Sequence, residues 1–284
     1  MRYALRRTAL LFLLLGNTPP DQKPNDIIVT APARVPKELK KQTLNFVRTV
    51  SDTAEQIQLS RRDDPFCVRI AGLDPAYHAL IRTKIRDAAR VANSQKEAPE
   101  GCKPNIVVIL SIDGDALMEA LKHKKPSIFN EQPLQKFNEL FRSKKPIRWW
   151  HVNERQESAT DIPVDAATFQ PKASLISSGV EVDLKSTVIV VDVSQSNGYP
   201  LESLASYISM IAFAQIKGSK VDIDSNLSIL GMFNDAKPRI AALRNLTVWD
   251  RAYLHALYKI APDRPMWQQR NHLSGAMAKY IQQN

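Results

Sequence analysis

Apolar residues recur along this chain at two spacings, one typical of helices and the other of strands. Spacings of three and four residues predict helices at 36–58, 75–91, 115–122, 134–141, 200–216, 247–260 and 265–281. Alternating or continuous apolar runs predict strands at 65–73, 105–112, 147–152 and 186–193. Residues 154–172 show little periodicity and are expected to form a surface excursion.

The predicted helices and strands alternate irregularly, without an internal repeat or a clear linker. The pattern therefore predicts a single globular domain over residues 37–284, of the α/β or α+β class, in which helices cover a central sheet. Residues 18–36 are rich in proline and are expected to form an extended arm. Two helix starts carry specific signals. These are Asp74 before Pro75, and Thr247 with Asp250 three residues later.

The first 17 residues have the pattern of a signal peptide. Arg2, Arg6 and Arg7 accompany the apolar run 9–15. This run is too short to span a membrane core, which needs about 20 apolar residues. No other segment has transmembrane length, and no cysteine lies near the leader to carry a lipid anchor. The sequence therefore predicts an exported protein, periplasmic or secreted, with no transmembrane helix in the mature chain.

The formal net charge of +10 is partly due to the leader, which holds three arginines and no acidic residue. Without residues 1–17 the chain has 36 basic and 29 acidic residues, a balance of +7. A positive protein favours polyanionic neighbours, such as a membrane surface or a cell-wall polymer. A basic surface without a specific partner would give the same charge balance. The partner is therefore expected to be an unknown envelope component or polyanion.

Basic and aromatic residues are interleaved between residues 122 and 150. Such a mixture can bind single-stranded nucleic acid or sugar polymers. However, Phe129 and Phe137 lie at a helix-like spacing, which is more typical of a core. Since export also argues against nucleic acid, no nucleic-acid partner is expected.

Cys67 and Cys102 are the only cysteines. In an exported chain an even number of cysteines usually indicates a disulfide. Closing this loop would stabilise the fold by roughly 3–4 kcal/mol. Two buried free thiols are the alternative, whereas structural zinc would require four ligands.

Three aspartates, Asp113, Asp115 and Asp192, directly follow or end apolar strands. Carboxylates at this edge of an α/β sheet can hold Mg²⁺ or position a phosphate or water. The same residues also serve as turn formers and helix caps, which is the structural interpretation. The glycines form no phosphate-binding loop, so no cofactor is predicted.

The five histidines do not form a zinc-binding helix motif, and no serine lies in a nucleophile elbow. The sequence therefore predicts no catalytic and no metal-binding residue. The remaining enzymatic hypothesis is a hydrolase whose site is assembled from distant residues. Its first candidates are Asp113, Asp192 and one histidine.

Residues 26–260 resemble a family of uncharacterised exported proteins of Gram-negative bacteria, mostly alphaproteobacteria. The resemblance rests on short matches at 26–31, 65–67 with 72–73, 102–105, 190–192, 204–207 with 210, and 246–247, 250, 252–254 and 256–258. The family implies no activity. Its paired cysteines match Cys67 and Cys102, which supports the disulfide.

A fainter likeness concerns zinc-peptidase-like exported proteins, known as zincins. Residues 233–235, 246–250 and 257–258 are similar to their C-terminal part. In those proteins an earlier helix bears a His pair and a Glu, but the matching segment 200–216 contains no histidine. The likeness therefore implies a zincin-like scaffold without its metal. Together these observations favour a non-catalytic binding or accessory module of the cell envelope, with the peptidase-like hydrolase as the alternative.

Overall fold

The computed structural model describes residues 35–52, 58–94, 96–129, 132–157, 177–218, 221–234 and 241–284. The expected signal peptide, almost all of the expected arm and most of the expected excursion lie outside these residues. Within the described ranges the α-helices are Lys37–Val50 (α1), His78–Ala92 (α2), Gly114–Lys124 (α3), Leu134–Arg142 (α4), Leu201–Phe213 (α5), Val248–Leu257 (α6) and Met266–Gln283 (α7). The strands are Val68–Ala71 (β1), Ile106–Ser111 (β2), Ile147–Glu157 (β3) and Val180–Asp192 (β4).

The four strands form one mixed sheet in the order β1-β2-β4-β3. Strands β1, β2 and β4 are parallel, and β3 pairs antiparallel with β4. Ser111 at the end of β2 is therefore in register with Asp192 at the end of β4. The carboxyl ends of β2 and β4 meet at the same edge, where β3 begins opposite Val191. With seven α-helices of the described residues around this sheet, the fold belongs to the α+β class, one of the two classes that the sequence predicted.

The two faces of the sheet carry separate apolar clusters, because successive strand residues point to opposite sides. Trp149 packs into the larger cluster, which also contains residues of β1, β2 and helices α1, α2, α5, α6 and α7. Its neighbour Trp150 packs with Met118 and Phe129 in the smaller cluster beneath α3 and α4. The sheet is therefore covered by helices on both faces.

Helix α5 is the most deeply buried helix of the described chain, since every residue from Ser203 to Phe213 is buried. The sequence predicted one buried face, comprising Leu201, Leu204, Ile208 and Ile211. The helix is instead enclosed on all sides, and its hydroxyl groups find internal acceptors. The Oγ of Ser206 donates to the carbonyl of Arg244 at 2.8 Å, and that of Ser209 donates to the carbonyl of Ser206 at 2.8 Å.

Cys67 and Cys102 form the predicted disulfide, with their Cα atoms 6.1 Å apart. The bridge connects the start of β1 to the loop before β2. The Asn105 side chain reinforces the same junction by accepting from the backbone N–H of Cys67 at 2.7 Å. No helix in the described residues is both long and apolar enough to cross a membrane.

Both predicted helix caps are present. The Asp74 carboxylate accepts from the backbone N–H of Ala76 at 2.9 Å. The Thr247 hydroxyl accepts from the N–H of Asp250 at 3.0 Å, and the Asp250 carboxylate accepts in return from the N–H of Thr247 at 2.9 Å.

Three predicted boundaries are wrong. Strand β4 begins at Val180 rather than at residue 186. Helix α1 ends at Val50 rather than near residue 58, because Ser51 bridges to Ile216 and the N–H of Asp52 donates to the carbonyl of Gln215. Residues 154–157 belong to β3 rather than to a surface excursion, because they pair with the first residues of β4 beyond a bulge at Val152.

Candidate functional site

The carboxyl edge of the sheet brings Asp113, Asp115 and Asp192 together, as the strand pattern implied. Asp192 ends β4, while Asp113 and Asp115 flank Gly114 at the start of α3. Arg148 reaches the same place from β3, and its side chain is only 2% exposed. The sequence pattern included this arginine only among the basic residues of segment 122–150, not with the aspartates. The sequence feature that could have indicated it is a charged residue among the apolar residues of the predicted strand 147–152.

Asp113 serves as a helix cap. Its carboxylate accepts from the backbone N–H of Ala116 at 2.9 Å. Asp115 forms an ion pair with Arg148, from Oδ1 to Nη1 at 2.7 Å, and a second with Lys144. The hydrogen bond from Lys144, together with that from Arg148, holds the pKa of Asp115 below its usual range. Asp115 is thus paired on both oxygens, whereas Asp113 uses one oxygen to cap the helix.

Asp192 is buried and is the most fully bonded of the three. Its Oδ1 accepts from the Ser194 hydroxyl at 2.7 Å and the Gln195 N–H at 3.0 Å, and its Oδ2 accepts from the Gly114 N–H at 2.9 Å. Burial alone would raise the pKa of Asp192, but these donors outweigh it and lower the pKa. The carboxylate therefore stays ionised and has little capacity left for a ligand or a proton transfer.

Gly114 allows this close packing. A Cβ atom at this position would lie 2.4 Å from Nη2 of Arg148 and 2.8 Å from Oδ2 of Asp192. Any side chain would push the helix terminus away from both groups. The arrangement of Asp192, Gly114 and Arg148 therefore ties α3 to β3 and β4, which supports the structural interpretation of the carboxylates over the catalytic one.

We expect Asp192→Asn to lower the free energy of unfolding by about 2 kcal/mol. One oxygen becomes an NH₂ that faces donors, and the buried Arg148 loses part of its compensating charge. Asp113→Asn is the matched control, since asparagine caps helices as well as aspartate. Urea denaturation should show a change below about 0.5 kcal/mol for the control. Equal losses in both variants would contradict a structural role specific to Asp192.

The five histidines lie on five different elements, α2, α3, β3, α6 and α7. His151 is the only one of them that is buried. Its Nδ1 lies 3.2 Å from the Thr187 hydroxyl, which also accepts from Nη2 of Arg62 at 3.0 Å. Burial, aided by the charges of Arg62 and Lys136, lowers the pKa of His151 to about 3. A neutral ring closed off from solvent is a core residue rather than a catalytic base.

The expected zincin-like helix corresponds to α5, whose side chains are turned into the core as described above. Across the described residues, no group of three His, Cys, Asp or Glu side chains is placed to hold a metal ion. The hydrolase candidates Asp113 and Asp192 are engaged at the carboxyl edge. None of the histidines is among the hydrogen-bond partners of either carboxylate.

The aromatic residues between 122 and 150 pack into the apolar clusters of this fold. Phe129 packs against Trp150 with ring centroids 4.7 Å apart, and against Phe141 at 5.4 Å. The ammonium of Lys122 lies 5.1 Å from the centre of the Phe141 ring. Phe129 and Trp150 are buried, and Phe137 and Phe141 are half-buried against them.

Comparisons of the chain with protein-family models, with curated proteins and with solved structures give no match. At the carboxyl edge itself, donors of the protein hold Asp115 and Asp192, and Asp113 caps α3.

Proposed function

We propose that this protein is a non-catalytic binding or accessory module of the cell envelope, exported to the periplasm or secreted. The observation that carries the proposal is the state of the three candidate carboxylates. Asp113 caps a helix, Asp115 pairs with two cations and Asp192 accepts from surrounding donors. Carboxylates held in this way stabilise the scaffold, and we propose that they do not act as an acid, base or nucleophile at this edge.

Export supports an envelope location. The signal-peptide pattern of residues 1–17 and the resemblance to exported alphaproteobacterial proteins both favour it. The disulfide between Cys67 and Cys102 fits an oxidising compartment, where such bridges form and persist.

A binding role is further supported by charge. The chain without its leader has 36 basic and 29 acidic residues. Positive proteins attract polyanions, and the envelope of Gram-negative bacteria offers anionic lipids and polymers. The partner class that we propose is therefore an anionic component of the envelope.

Cell fractionation tests the export part of this proposal. The full chain should appear in the periplasmic or external fraction with both cysteines resistant to thiol labelling. A chain that lacks residues 2–16 should remain in the cytoplasm with reactive thiols. Recovery of both forms in the same compartment would contradict export.

Activity profiling tests the non-catalytic part. The purified protein is expected to hydrolyse no peptide, ester or phosphate substrate in a way that depends on the carboxyl edge. Asp113→Asn is the informative variant, because its cap is retained and the fold should persist. A hydrolytic activity of the native chain that disappears in folded Asp113→Asn would establish the hydrolase alternative instead.

A further inference from the structure

One side of helix α1 carries a row of cations. Lys37, Lys41 and Arg48 are exposed, whereas Thr43, Phe46, Val47 and Val50 form the buried side of the helix. Positions i, i+4 and i+11 lie on the same face of an α-helix, and at 1.5 Å per residue they extend over roughly 16 Å. The row thus points directly away from the core.

The row continues past the end of the helix. The ammonium of Lys217 donates to the carbonyl of Arg48 at 2.6 Å, which places another cation beside Arg48. Asp52 could have neutralised this end, but its carboxylate is already paired with Lys136 at 2.6 Å. Glu38 is the only acidic residue within α1.

Helix α7 packs beside α1 and adds no negative charge. The Thr43 hydroxyl of α1 donates to the carbonyl of Ser274 in α7 at 3.0 Å, which joins the two helices. The sequence of α7 contains Arg270 and Lys279 and no Asp or Glu. Near its start, Trp267 is 63% exposed. The pair of helices therefore presents positive charge together with one exposed indole.

These cations differ from the arginines of helix α2, which pair with carboxylates. Arg82 and Arg86 share Glu97, and Arg90 pairs with Asp87. In the described part of the chain, by contrast, no carboxylate pairs with Lys37, Lys41 or Arg48. The charges on α1 are therefore available to an external anion.

We propose that the face formed by Lys37, Lys41, Arg48 and Lys217, with Trp267 on the neighbouring helix, docks the protein on a bilayer rich in anionic phospholipid. This inference builds on the proposed envelope function and names its partner. Flexible lysine and arginine side chains on an amphipathic helix suit a fluid layer of phosphate headgroups. An exposed tryptophan is favoured at the interface between headgroups and hydrocarbon. The face lacks the row of stacked aromatic rings that a nucleic acid would use.

Vesicle binding tests this proposal. The full chain is titrated with phosphatidylglycerol vesicles and with uncharged phosphatidylcholine vesicles. The second measurement reports binding by other parts of the chain, including the apolar run 9–15, and is subtracted. We expect binding to the anionic vesicles at 0.1 M salt and its loss at 1 M salt, where the Debye length falls from about 10 to 3 Å.

The decisive variant is Lys37→Gln, Lys41→Gln and Arg48→Gln combined. Each cation near an anionic surface is worth roughly fivefold in affinity, so the three together should weaken binding about 100-fold. The matched control is Lys103→Gln, Lys124→Gln and Lys125→Gln combined, which removes the same charge from exposed positions elsewhere. The control is expected to weaken binding by no more than about fivefold, through net charge alone.

Three outcomes would overturn the proposal. These are no binding to anionic vesicles, equal weakening in the two triple variants, and binding to the linear polyanion heparin without binding to vesicles. Circular dichroism melting curves should show that both variants remain folded, since all six positions are exposed or lie at the surface. Because the measurement is made in vitro, a failure of export in cells would leave its result unchanged, so the two proposals fail separately.

Discussion

Ile208→Asp is expected to unfold the domain. Ile208 is 1% exposed in α5 and belongs to the main apolar cluster, together with Ile81 and Ile85 of α2 and Ile189 of β4. An ionised carboxylate in this place would be moved from water into the main apolar cluster, and such burial costs more than about 5 kcal/mol. That is comparable to the total stability of a typical domain, which is about 5–15 kcal/mol.

The measurement is circular dichroism and urea denaturation of the purified variants. Ile112→Asp is the matched control, because Ile112 is 80% exposed and the same chemical change there should leave the unfolding midpoint nearly unaltered. Ile208→Leu keeps the volume and should cost less than about 1.5 kcal/mol. A folded Ile208→Asp protein with a cooperative transition near that of the native chain would show that α5 is not the centre of the core.

The sequence contained the information that defines most elements of this fold. Strand β2 and helix α6 match their predicted positions because their signals are local, an apolar run in one case and a capping box in the other. The first half of β4 was missed although its signal was present. Val180, Val182 and Leu184 alternate with polar residues, and all three are buried.

Other features depend on tertiary partners and have no local signal. Residues 153–157 of β3 are all polar, and they form a strand because β4 pairs with them. Similarly, Ser51 is not part of helix α1, because its backbone forms an antiparallel β-bridge with Ile216. In both cases long-range backbone pairing determines the secondary structure. The propensities of the residues within the segment do not determine it.

The candidate site likewise combines features that have a local sequence signal with features that depend on distant residues. The strand order placed Asp113 and Asp192 at one edge, as predicted from the apolar runs that precede them. The role of Asp113 follows from its local cap on the N–H of Ala116. The role of Asp192 depends on the N–H of Gly114 and on Arg148, which comes from the neighbouring antiparallel strand β3. A sequence pattern can place carboxylates at a sheet edge, but it does not reveal which donors from distant segments will occupy them.

Arg62 is a clearer case of a buried group that the sequence did not indicate. It lies in the segment Arg61-Arg62-Asp63-Asp64, whose composition is typical of a surface loop. The side chain is nevertheless fully buried, and its guanidinium donates to the carbonyls of Ala212 at 3.3 Å and Lys185 at 3.0 Å. Burial lowers its pKa to about 10, so the group remains charged at neutral pH. This cation lies near His151 and disfavours a second positive charge there.

His151 is therefore expected to make the protein acid-sensitive well above the pH at which carboxylates titrate. Its pKa is about 3 in the fold, where burial, Arg62 and Lys136 all lower it, and about 6.5 in the unfolded chain. Between these values the unfolded state binds one more proton than the folded state, so stability rises with pH. It should fall by about 1.4 kcal/mol for each pH unit below 6, or about 3 kcal/mol between pH 6 and pH 4.

The variant His151→Asn separates this effect from other titrations. Asparagine can keep the hydrogen bond to the Thr187 hydroxyl but cannot become charged. At pH 7 the variant should be less stable than the native protein, because a smaller side chain leaves a cavity. As the pH falls from 6 to 4 the difference should shrink by about 3 kcal/mol, since only the native chain pays the cost of a neutral buried histidine. Buried Asp250, whose pKa is raised by desolvation, is common to both proteins and cancels in the difference.

Urea denaturation at each pH gives the two curves, and His272→Asn on the exposed side of α7 should retain the native slope. Parallel curves for native and His151→Asn proteins would show that His151 is protonated in the folded state, and therefore that solvent or a counter-ion reaches the space between β3 and Arg62.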